Sequence, residues 1–496
     1  MEVAGVGALF LLCVLLTLFF SSFKMYKKKG QLPPGPAPWF LLGNLLQKDV
    51  LPLYQSYPKL MEKYGSVFTL WMGPKPLVVL CGYEVVKDAL VGHAEEFGGR
   101  FAIPIHDRIS KGQGLLKGGN EKKWRELRRF TISTLRDFGM GKKTMSARVQ
   151  EEALYLVEEM ATAQGKPFDP RRCLTSAVSN VISSVLYGSR FDYKDGNLIE
   201  QLQFIDERFL FMRSYLGTVY STIPTIMDCL PGQHRKILAN SEKLCGFIRE
   251  KLRSHRETLD PQNPRDYIDC FLMRAEKEQN SPKDFYGSED LVMCVNDLFV
   301  AGTISTSNTL LYSLLVMAKL PHVQAKVQQE IDDVLSGNHT PGMEDRVRMP
   351  FTNAVVHETQ RYQRMTLEAL PLAMTHHTEF RGYTIPKGTA VTPLLTSVHF
   401  DPTQWETPEK FNPGHFLDEK GQFRKRDAFM PFSAGKHACP GEALARMELF
   451  LFFSTLLQNF TFKLDEDAKT MDIMSLFIAY RIKNQYPPIQ AIRRSV

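Results

Sequence analysis

The stretch that decides the fold is PFSAGKHACPGEALA, Pro431 to Ala445, which places one cysteine among glycines and a proline, directly before an apolar helical pattern. Phe432, Gly435, Cys439 and Gly441 form the pattern F-x-x-G-x-x-x-C-x-G. Glycines let the backbone approach a flat cofactor and turn its amide groups toward the sulfur. A thiolate at a helix N-terminus is stabilised by the helix dipole. The pattern predicts an axial cysteine ligand to a haem iron, whereas an isolated cysteine is usually a small buried core residue.

The composition is that of a large globular protein. The chain has 496 residues, of which 44% are hydrophobic and 23% are charged, so it can bury a large core. The formal net charge of +7 is mild and dispersed, which argues against nucleic acid as a partner. The eight cysteines are scattered and include no C-x-x-C pair, so the sequence favours reduced thiols over a disulfide framework or a structural zinc site.

The amino-terminal segment has the features of an uncleaved membrane anchor. Val3 to Phe20 is a run of 18 residues without a charge, about 27 Å long as a helix and close to the thickness of one hydrocarbon core. Four lysines follow between residues 24 and 29, whereas only Glu2 precedes the run. This asymmetry predicts that the lysines face the cytosol, and it is the reverse of a cleaved signal peptide. We therefore expect residues 1–23 to be a transmembrane anchor.

Residues 24–39 predict a basic, proline-rich linker, because four prolines between residues 33 and 38 stiffen the chain. No comparable break divides residues 40–496, which therefore predict a single large domain. Two short strands around a Gly-Pro turn begin it, and helical patterns dominate from about residue 84 to 370. One helix is expected to run unusually far, from about Ser288 to Leu320. The expected fold class is mainly α with minor β.

Three further motifs support the cysteine motif, although each is weak alone. Glu358 and Arg361 form E-x-x-R and can pair at i, i+3 on a helix. The segment PEKF, Pro408 to Phe411, lies about thirty residues before the cysteine. The segment AGTISTS, Ala301 to Ser307, places small and hydroxyl residues inside the longest helix, where they carry a propensity cost. Such a segment predicts a groove over a cofactor.

In this order and spacing the four motifs resemble the cytochrome P450 family, the haem-thiolate monooxygenases. The stretches LPPGP, WRELRRFTISTLRDFGMGK, VVHETQRY, RGYTIPKGT and MPFSAGK resemble its vertebrate microsomal type, family 2, whose best-known members oxidise drugs, fatty acids and steroids. The resemblance covers nearly the whole chain. It implies one P450-like catalytic haem domain over residues 40–496, behind the anchor. The implied cofactor is haem b, iron protoporphyrin IX.

The resemblance also implies the roles of individual residues. Cys439 would be the fifth iron ligand, within the loop formed by Phe432, Gly435 and Gly441. Glu358 and Arg361 would form a structural network with PEKF beneath the haem. The implied propionate contacts are Arg100, Trp124, Arg128 and, at the position of a usual arginine, His437. The residues implied on the oxygen side are Ala301, Ser305 and Thr306. The implied substrate pocket includes Phe101, Leu116, Phe204, Asp297, Leu370 and Phe477.

Four positions depart from the family's pattern. Ile304 stands where an acid that helps deliver protons is usual, and Ser305 replaces a threonine but keeps a hydroxyl. His437 replaces an arginine, and Leu372 stands where many relatives have a histidine that binds a propionate. We expect haem to be retained with a looser grip. The departures leave open whether they are neutral or alter the chemistry.

Three functions remain open at this point. The first is a monooxygenase anchored once in the endoplasmic reticulum membrane, with its catalytic domain in the cytosol, an apolar small-molecule substrate and contact with membrane lipid. Its electrons would come from NADPH through NADPH–cytochrome P450 reductase, with cytochrome b5 as a further candidate partner. The second uses peroxide or rearranges an oxygenated lipid, because Ile304 cannot carry a proton. The third is a non-catalytic haem-binding membrane protein, against which the intact Cys439, Glu358 and Arg361 argue.

Overall fold

The structure is a computed structural model, and it describes residues 32–40, 42–116, 121–138, 143–278, 285–335, 339–363, 370–473, 475–476 and 487–494. The predicted anchor, residues 1–23, and residues 24–31 of the predicted linker lie outside the described residues. The rest of the linker, residues 32–39, is described.

Helices dominate the described chain, as the sequence predicts. The helices are α1 Leu53–Tyr64, α2 Tyr83–Lys87, α3 Pro104–Ser110, α4 Glu121–Asp137, α5 Lys143–Ala161, α6 Arg171–Leu186, α7 Gly196–Arg213, α8 Tyr215–Thr222, α9 Pro224–Cys229, α10 Gln233–Glu257, α11 Tyr267–Lys277, α12 Ser288–Lys319, α13 Pro321–Leu335, α14 Pro350–Tyr362, α15 Leu395–His399, α16 Glu442–Asn459 and α17 Glu466–Thr470. The strands are β1 Val67–Met72, β2 Lys75–Leu80, β3 Gly99–Arg100, β4 Leu372–Ala373, β5 Thr378–Phe380, β6 Tyr383–Ile385, β7 Ala390–Pro393, β8 Phe460–Leu464 and β9 Ile489–Arg493.

The central element is α12, whose 32 residues confirm the predicted long helix and correspond to about 48 Å. An 18-residue window of it has a mean hydropathy of 1.3, high enough for a membrane span, but 78% of that window is buried inside the protein. It is therefore the core helix of the domain. Helix α6 crosses it closely, since a Cβ at Gly302 would lie 3.2 Å from the side chain of Ile182.

The minor β component is one five-stranded sheet in the order β1-β2-β7-β4-β3 and two two-stranded sheets, β5-β6 and β8-β9. Strands β1 and β2 pair antiparallel, with Val67 opposite Leu80, which confirms the two strands predicted around the Gly-Pro turn. At the other edge, β3 pairs antiparallel with β4, and Arg100 lies opposite Leu372. The sheet therefore places these two predicted site positions side by side.

Candidate haem-binding site

The cysteine loop is closed by its own backbone. The N–H of Cys439 donates to the carbonyl of Phe432 at 2.9 Å, and the N–H of Ala438 donates to that of Gly435 at 3.1 Å. Gly435 has a φ of +68°, and a Cβ there would lie 1.9 Å from the carbonyl oxygen of Leu90. A glycine is thus required both by the conformation and by the close approach of the neighbouring chain. Gly441 is the N-cap of α16, so the predicted position of the cysteine just before a helix is confirmed.

The thiol of Cys439 is accessible although the surrounding protein partly desolvates it. Burial and, to a smaller extent, the Glu442 carboxylate raise the pKa of the Cys439 thiol, whereas the Gly441 N–H and the Arg128 guanidinium lower it. The residue is nevertheless exposed. This sulfur is both partly desolvated and accessible. Such a position is expected at the wall of an internal cleft. A metal ion coordinated there would deprotonate the thiol outright, which the two favourable contacts assist.

Three cationic or potentially cationic side chains, Arg100, Arg128 and His437, converge beside this loop. The Nε of Arg100 and the Nδ1 of His437 are buried and have no hydrogen-bond partner among the described residues. Burial and Arg128 lower the pKa of Arg100 to about 10. Burial, Arg100 and Arg128 lower the pKa of His437 to about 4, and a hydrogen bond to the Gly98 carbonyl opposes this shift.

The charges with the largest influence on the pKa values of Arg100, Arg128 and His437 are those three groups themselves, Lys436 and Cys439, and none of these is a carboxylate. Arg100 and Arg128 are half-buried cations, and a cation that is partly removed from water is stabilised by an anionic partner. The two propionates of haem b supply such a partner beside a flat ring. The residues present therefore fit the cofactor that the resemblance implies.

Two of the expected propionate contacts are already engaged with the backbone. The indole N–H of Trp124 donates to the carbonyl of Leu115 at 2.9 Å, and Arg128 donates through Nη2 to the carbonyl of Ala438. The ring of His437 lies 4.8 Å from that of Trp124, and its Nε2 lies 2.7 Å from the carbonyl oxygen of Gly98. The propionate role of Trp124 stays a prediction, and its described role is to fix the loop at Leu115.

Replacing His437 by arginine is expected to slow the transfer of haem to apomyoglobin by about 3- to 10-fold, since a permanent guanidinium adds a charged hydrogen bond to a propionate. The exposed His376 offers a matched control, and His376→Arg adds the same charge without this effect. Haem loss from His437→Arg at the wild-type rate would mean that this position does not contact a propionate.

The middle of α12 carries two exposed residues in a helix that is otherwise mostly buried. Ala301 and Ser305 are exposed although the helix around them is buried, and the Oγ of Ser305 donates to the carbonyl of Ala301 at 2.8 Å. Their i, i+4 spacing places both on one face, which predicts that this face lines an inner cleft. Ile304 is half-buried and packs against the main hydrophobic core.

Thr306 belongs to a different environment from Ser305. It is 3% exposed and forms a side-chain hydrogen bond with Glu448 of α16. Burial raises the pKa of Glu448 well above its usual range, and the hydrogen bond with Thr306 opposes this shift. The sequence groups Thr306 with Ala301 and Ser305 on the oxygen side, but the described contact of Thr306 is with α16. Its oxygen-side role stays a prediction.

The predicted pair of Glu358 and Arg361 is fully buried on α14. Arg361 donates to both carboxylate oxygens of Glu358 at 2.7 Å. It also donates to the carbonyls of His399, Pro408 and Lys410 at 2.7, 2.9 and 3.0 Å. The segment PEKF thus supplies two of the acceptors that hold the guanidinium, whereas the position of this network beneath a haem stays a prediction. Each nitrogen of the Arg361 guanidinium donates to a backbone or carboxylate oxygen. The pair therefore joins α14 to the loop before the cysteine.

The carboxylate of Glu358 has further partners that the sequence did not indicate. It accepts a hydrogen bond from the N–H of Asn412 at 2.8 Å and lies 3.2 Å from the Nδ1 of His415. The neighbouring His399 is buried, which lowers its pKa to about 3, and its Nε2 accepts from the N–H of Met430 at 2.9 Å. These contacts extend the network to within two residues of Phe432.

The residues expected to line a substrate pocket are placed as follows. Phe101, Leu116, Phe204 and Leu370 are half-buried, and Phe477 lies outside the described residues. Asp297 of α12 is buried, and one of its oxygens, Oδ2, accepts from the N–H groups of Leu115 and Leu116 at 2.8 and 3.1 Å. Burial raises the pKa of Asp297 to about 6, opposed by these two N–H groups. Asp297 therefore fastens the loop before α4 to the central helix.

Sequence reasoning missed two buried polar residues near these elements. Glu448 directly precedes the apolar run LFLFF, residues 449–453 of α16, and an acid next to such a run was a usable signal. Arg208 of α7 is 7% exposed, and its Nη2 lies 3.1 Å from the Nδ1 of His106 in α3. No sequence pattern links residues 102 positions apart, so the contact with His106 could only come from the tertiary structure.

Comparison with known proteins gives a consistent result. A family model described as Cytochrome P450 matches residues 33–488. The chain is 48% identical to Cytochrome P450 2C8 of Homo sapiens over 478 residues, which are 95% of this chain and 97% of that protein. It is 47% identical to Cytochrome P450 2G1 of Oryctolagus cuniculus over 462 residues, 93% of each chain. It is 48% identical to Cytochrome P450 2C11 of Rattus norvegicus over 459 residues, 92% of this chain and 91% of that protein.

Proposed function

The chain belongs to the cytochrome P450 family, and on that premise we propose that it inserts one oxygen atom from O2 into an apolar small molecule: a xenobiotic, a fatty acid or a steroid. Membership makes it a haem-thiolate monooxygenase that is supplied with electrons from NADPH by NADPH–cytochrome P450 reductase. The observation that carries the proposal is the accessible Cys439 beside the cluster of Arg100, Arg128 and His437.

The roles of the chain's own residues follow from their contacts. When bound, the haem supplies the activation of dioxygen. Cys439 would ligate the iron, with its sulfur oriented by the loop from Phe432 and by the Gly441 N–H. Arg100 would hold a propionate through its unpartnered Nε, and His437 would do so through Nδ1 only in its protonated form, because its Nε2 donates to the Gly98 carbonyl. The hydroxyl of Ser305 donates a hydrogen bond to the carbonyl of Ala301. Its oxygen can therefore accept a hydrogen bond from a water molecule that takes part in proton delivery.

The location proposed is the endoplasmic reticulum membrane, with residues 1–23 as a single anchor and the catalytic domain in the cytosol. Support comes from the lysines after the apolar run and from exposed apolar side chains at the end of the linker and just beyond it, namely Trp39, Phe40, Leu42 and Leu46. Exposed apolar groups beside an anchor favour contact with lipid. Cytochrome b5 is proposed as a second electron donor on the resemblance alone. Alkaline carbonate extraction of microsomes tests the anchor, since release of the full chain would contradict it.

Reconstitution with reductase tests the function and the consequence of Ile304 together. We expect the wild-type protein to oxidise an apolar substrate with NADPH and without added peroxide. Ile304→Glu is expected to raise the ratio of product to NADPH consumed at least about twofold, because it restores a proton donor, and general acids contribute roughly 10²–10⁴-fold. Ile304→Gln is the matched control, since it is polar but carries no transferable proton, and its ratio should stay at the wild-type value.

Two outcomes of this assay would change the account. Turnover of the wild-type protein with peroxide alone, and none with NADPH and reductase, would favour the alternative chemistry over the proposed one. An unchanged ratio in Ile304→Glu would mean that protons arrive by a route that does not involve position 304.

A further inference from the structure

Arg208 is the charged residue among the buried residues of α7. The buried residues of this helix are Leu198, Gln201, Leu202, Ile205, Arg208 and Phe211, so the arginine lies on the same side as the core residues. It is only 7% exposed. Taking an arginine out of water is expensive unless a partner compensates the charge, so the guanidinium requires an explanation.

The partners of Arg208 within the chain do not compensate its charge. Its Nη2 contacts the Nδ1 of His106, and its Nε has no hydrogen-bond partner among the described residues. The described groups that act on its charge are Asp297 and Cys245, and neither forms a hydrogen bond with it. Burial accordingly lowers the pKa of Arg208. The guanidinium is thus held in place without an ion pair to a described carboxylate.

Asp297 does not fill the role of a direct partner. Its Oδ2 is bound by the N–H groups of Leu115 and Leu116, and a Cβ at Gly114 would lie 2.6 Å from the same oxygen. This carboxylate is therefore committed to the loop that it fastens. It attracts Arg208 electrostatically without forming a hydrogen bond with it, so the Nε of Arg208 remains without a partner among the described residues.

A second donor lies on the same stripe. Gln201 is 4% exposed, and its Nε2 has no hydrogen-bond partner among the described residues. The i, i+7 spacing of Gln201 and Arg208 corresponds to two helical turns and places both on one side of α7. Both unpartnered groups are N–H donors, so a ligand that satisfies them must offer acceptor oxygens, and the charge of Arg208 favours an anion.

Arg208 interacts with α12 one helical turn before the exposed face that Ala301 and Ser305 form. Asp297, which interacts electrostatically with Arg208, precedes Ala301 by one helical turn, and Ser305 follows by another. We propose that Arg208 and Gln201 form an anion-binding subsite that holds the carboxylate of an amphipathic acid, with its apolar part directed along Ala301 toward Ser305. This inference rests on the proposed function, because it assigns the substrate class of the same cavity.

Binding titrations of the full-length holoprotein test the subsite. The probes are dodecanoic acid and methyl dodecanoate, which share an apolar chain and differ in charge. Dissociation constants come from the change in the haem Soret band and, independently of the haem spectrum, from equilibrium dialysis with labelled probe. We expect Arg208→Gln to weaken binding of the acid about 10- to 100-fold and to change binding of the ester less than about 3-fold.

The matched control is Arg213→Gln, which removes the same charge from an exposed position of α7 and should leave both affinities unchanged. Gln201→Leu should weaken binding of the acid more than binding of the ester. This variant tests the subsite if Arg208→Gln does not bind haem. Equal affinity of the wild-type protein for acid and ester, or equal losses for both probes in the variants, would overturn the subsite. Oxidation of the ester with NADPH and reductase would in that case still uphold the proposed function, whereas oxidation of neither probe would count against it.

Discussion

Cys439→Ser is expected to lower turnover with NADPH and reductase at least about 10³-fold, a loss of roughly 4 kcal/mol of transition-state stabilisation. The serine hydroxyl is nearly the same size as the thiol and can still accept from the Gly441 N–H, so the loop should keep its shape. It does not ionise to an anion at neutral pH, and a thiolate is the ligand that favours O–O cleavage. The expected effect is therefore on chemistry and not on folding.

Product formation per haem measures this effect, with far-UV circular dichroism as the check on folding. Cys229→Ser is the matched control, because it makes the same change at an exposed cysteine of α9 and should leave turnover unchanged. Turnover of Cys439→Ser above about a tenth of the wild-type rate would contradict the role of this sulfur.

Glu358→Leu is expected to destabilise the protein by about 3–5 kcal/mol, because it leaves Arg361 charged and fully buried without its carboxylate. Native domains are stable by about 5–15 kcal/mol, so this single change should remove a large part of the margin. The expected observation is little folded haem protein on expression at 37 °C and a strongly lowered midpoint of thermal unfolding.

A partly exposed pair on α16 supplies the control. Glu442 and Arg446 form an i, i+4 ion pair at 2.8 Å with side-chain exposures of 43% and 25%, and Glu442→Gln should cost less than about 1 kcal/mol. The double variant Glu358→Leu, Arg361→Leu should be less destabilised than Glu358→Leu alone, since no buried charge remains. Equal stability of Glu358→Leu and Glu442→Gln would show that the buried pair does not hold the domain together.

The local features of this protein could be predicted because they are written in nearby residues. A long helical pattern that ends before Pro321 predicted α12, two short strand-like runs around a Gly-Pro turn predicted β1 and β2, and the i, i+3 spacing predicted the pair of Glu358 and Arg361. The glycines around Cys439 predicted the cysteine loop. The structure adds the reason that residue 435 must be a glycine, because the carbonyl of Leu90 leaves no room for a Cβ there.

The remaining contacts join distant parts of the chain, so their partners are not encoded in local patterns. The commitment of Trp124 to Leu115 depends on how the loop before α4 folds back. The pairing of Arg100 opposite Leu372 depends on sheet register between strands about 270 positions apart. The burial of Arg208 beside His106, and of Glu448 beside Thr306, results from helix packing that no single segment specifies.

The central claim is that the Cys439 sulfur coordinates the haem iron as a thiolate, and the carbon monoxide difference spectrum of the reduced wild-type protein tests it most directly. The account predicts the strongly red-shifted Soret band that is typical of thiolate-ligated haem. A band at the position typical of imidazole-ligated haem, or the thiolate band persisting unchanged in Cys439→Ser, would contradict it.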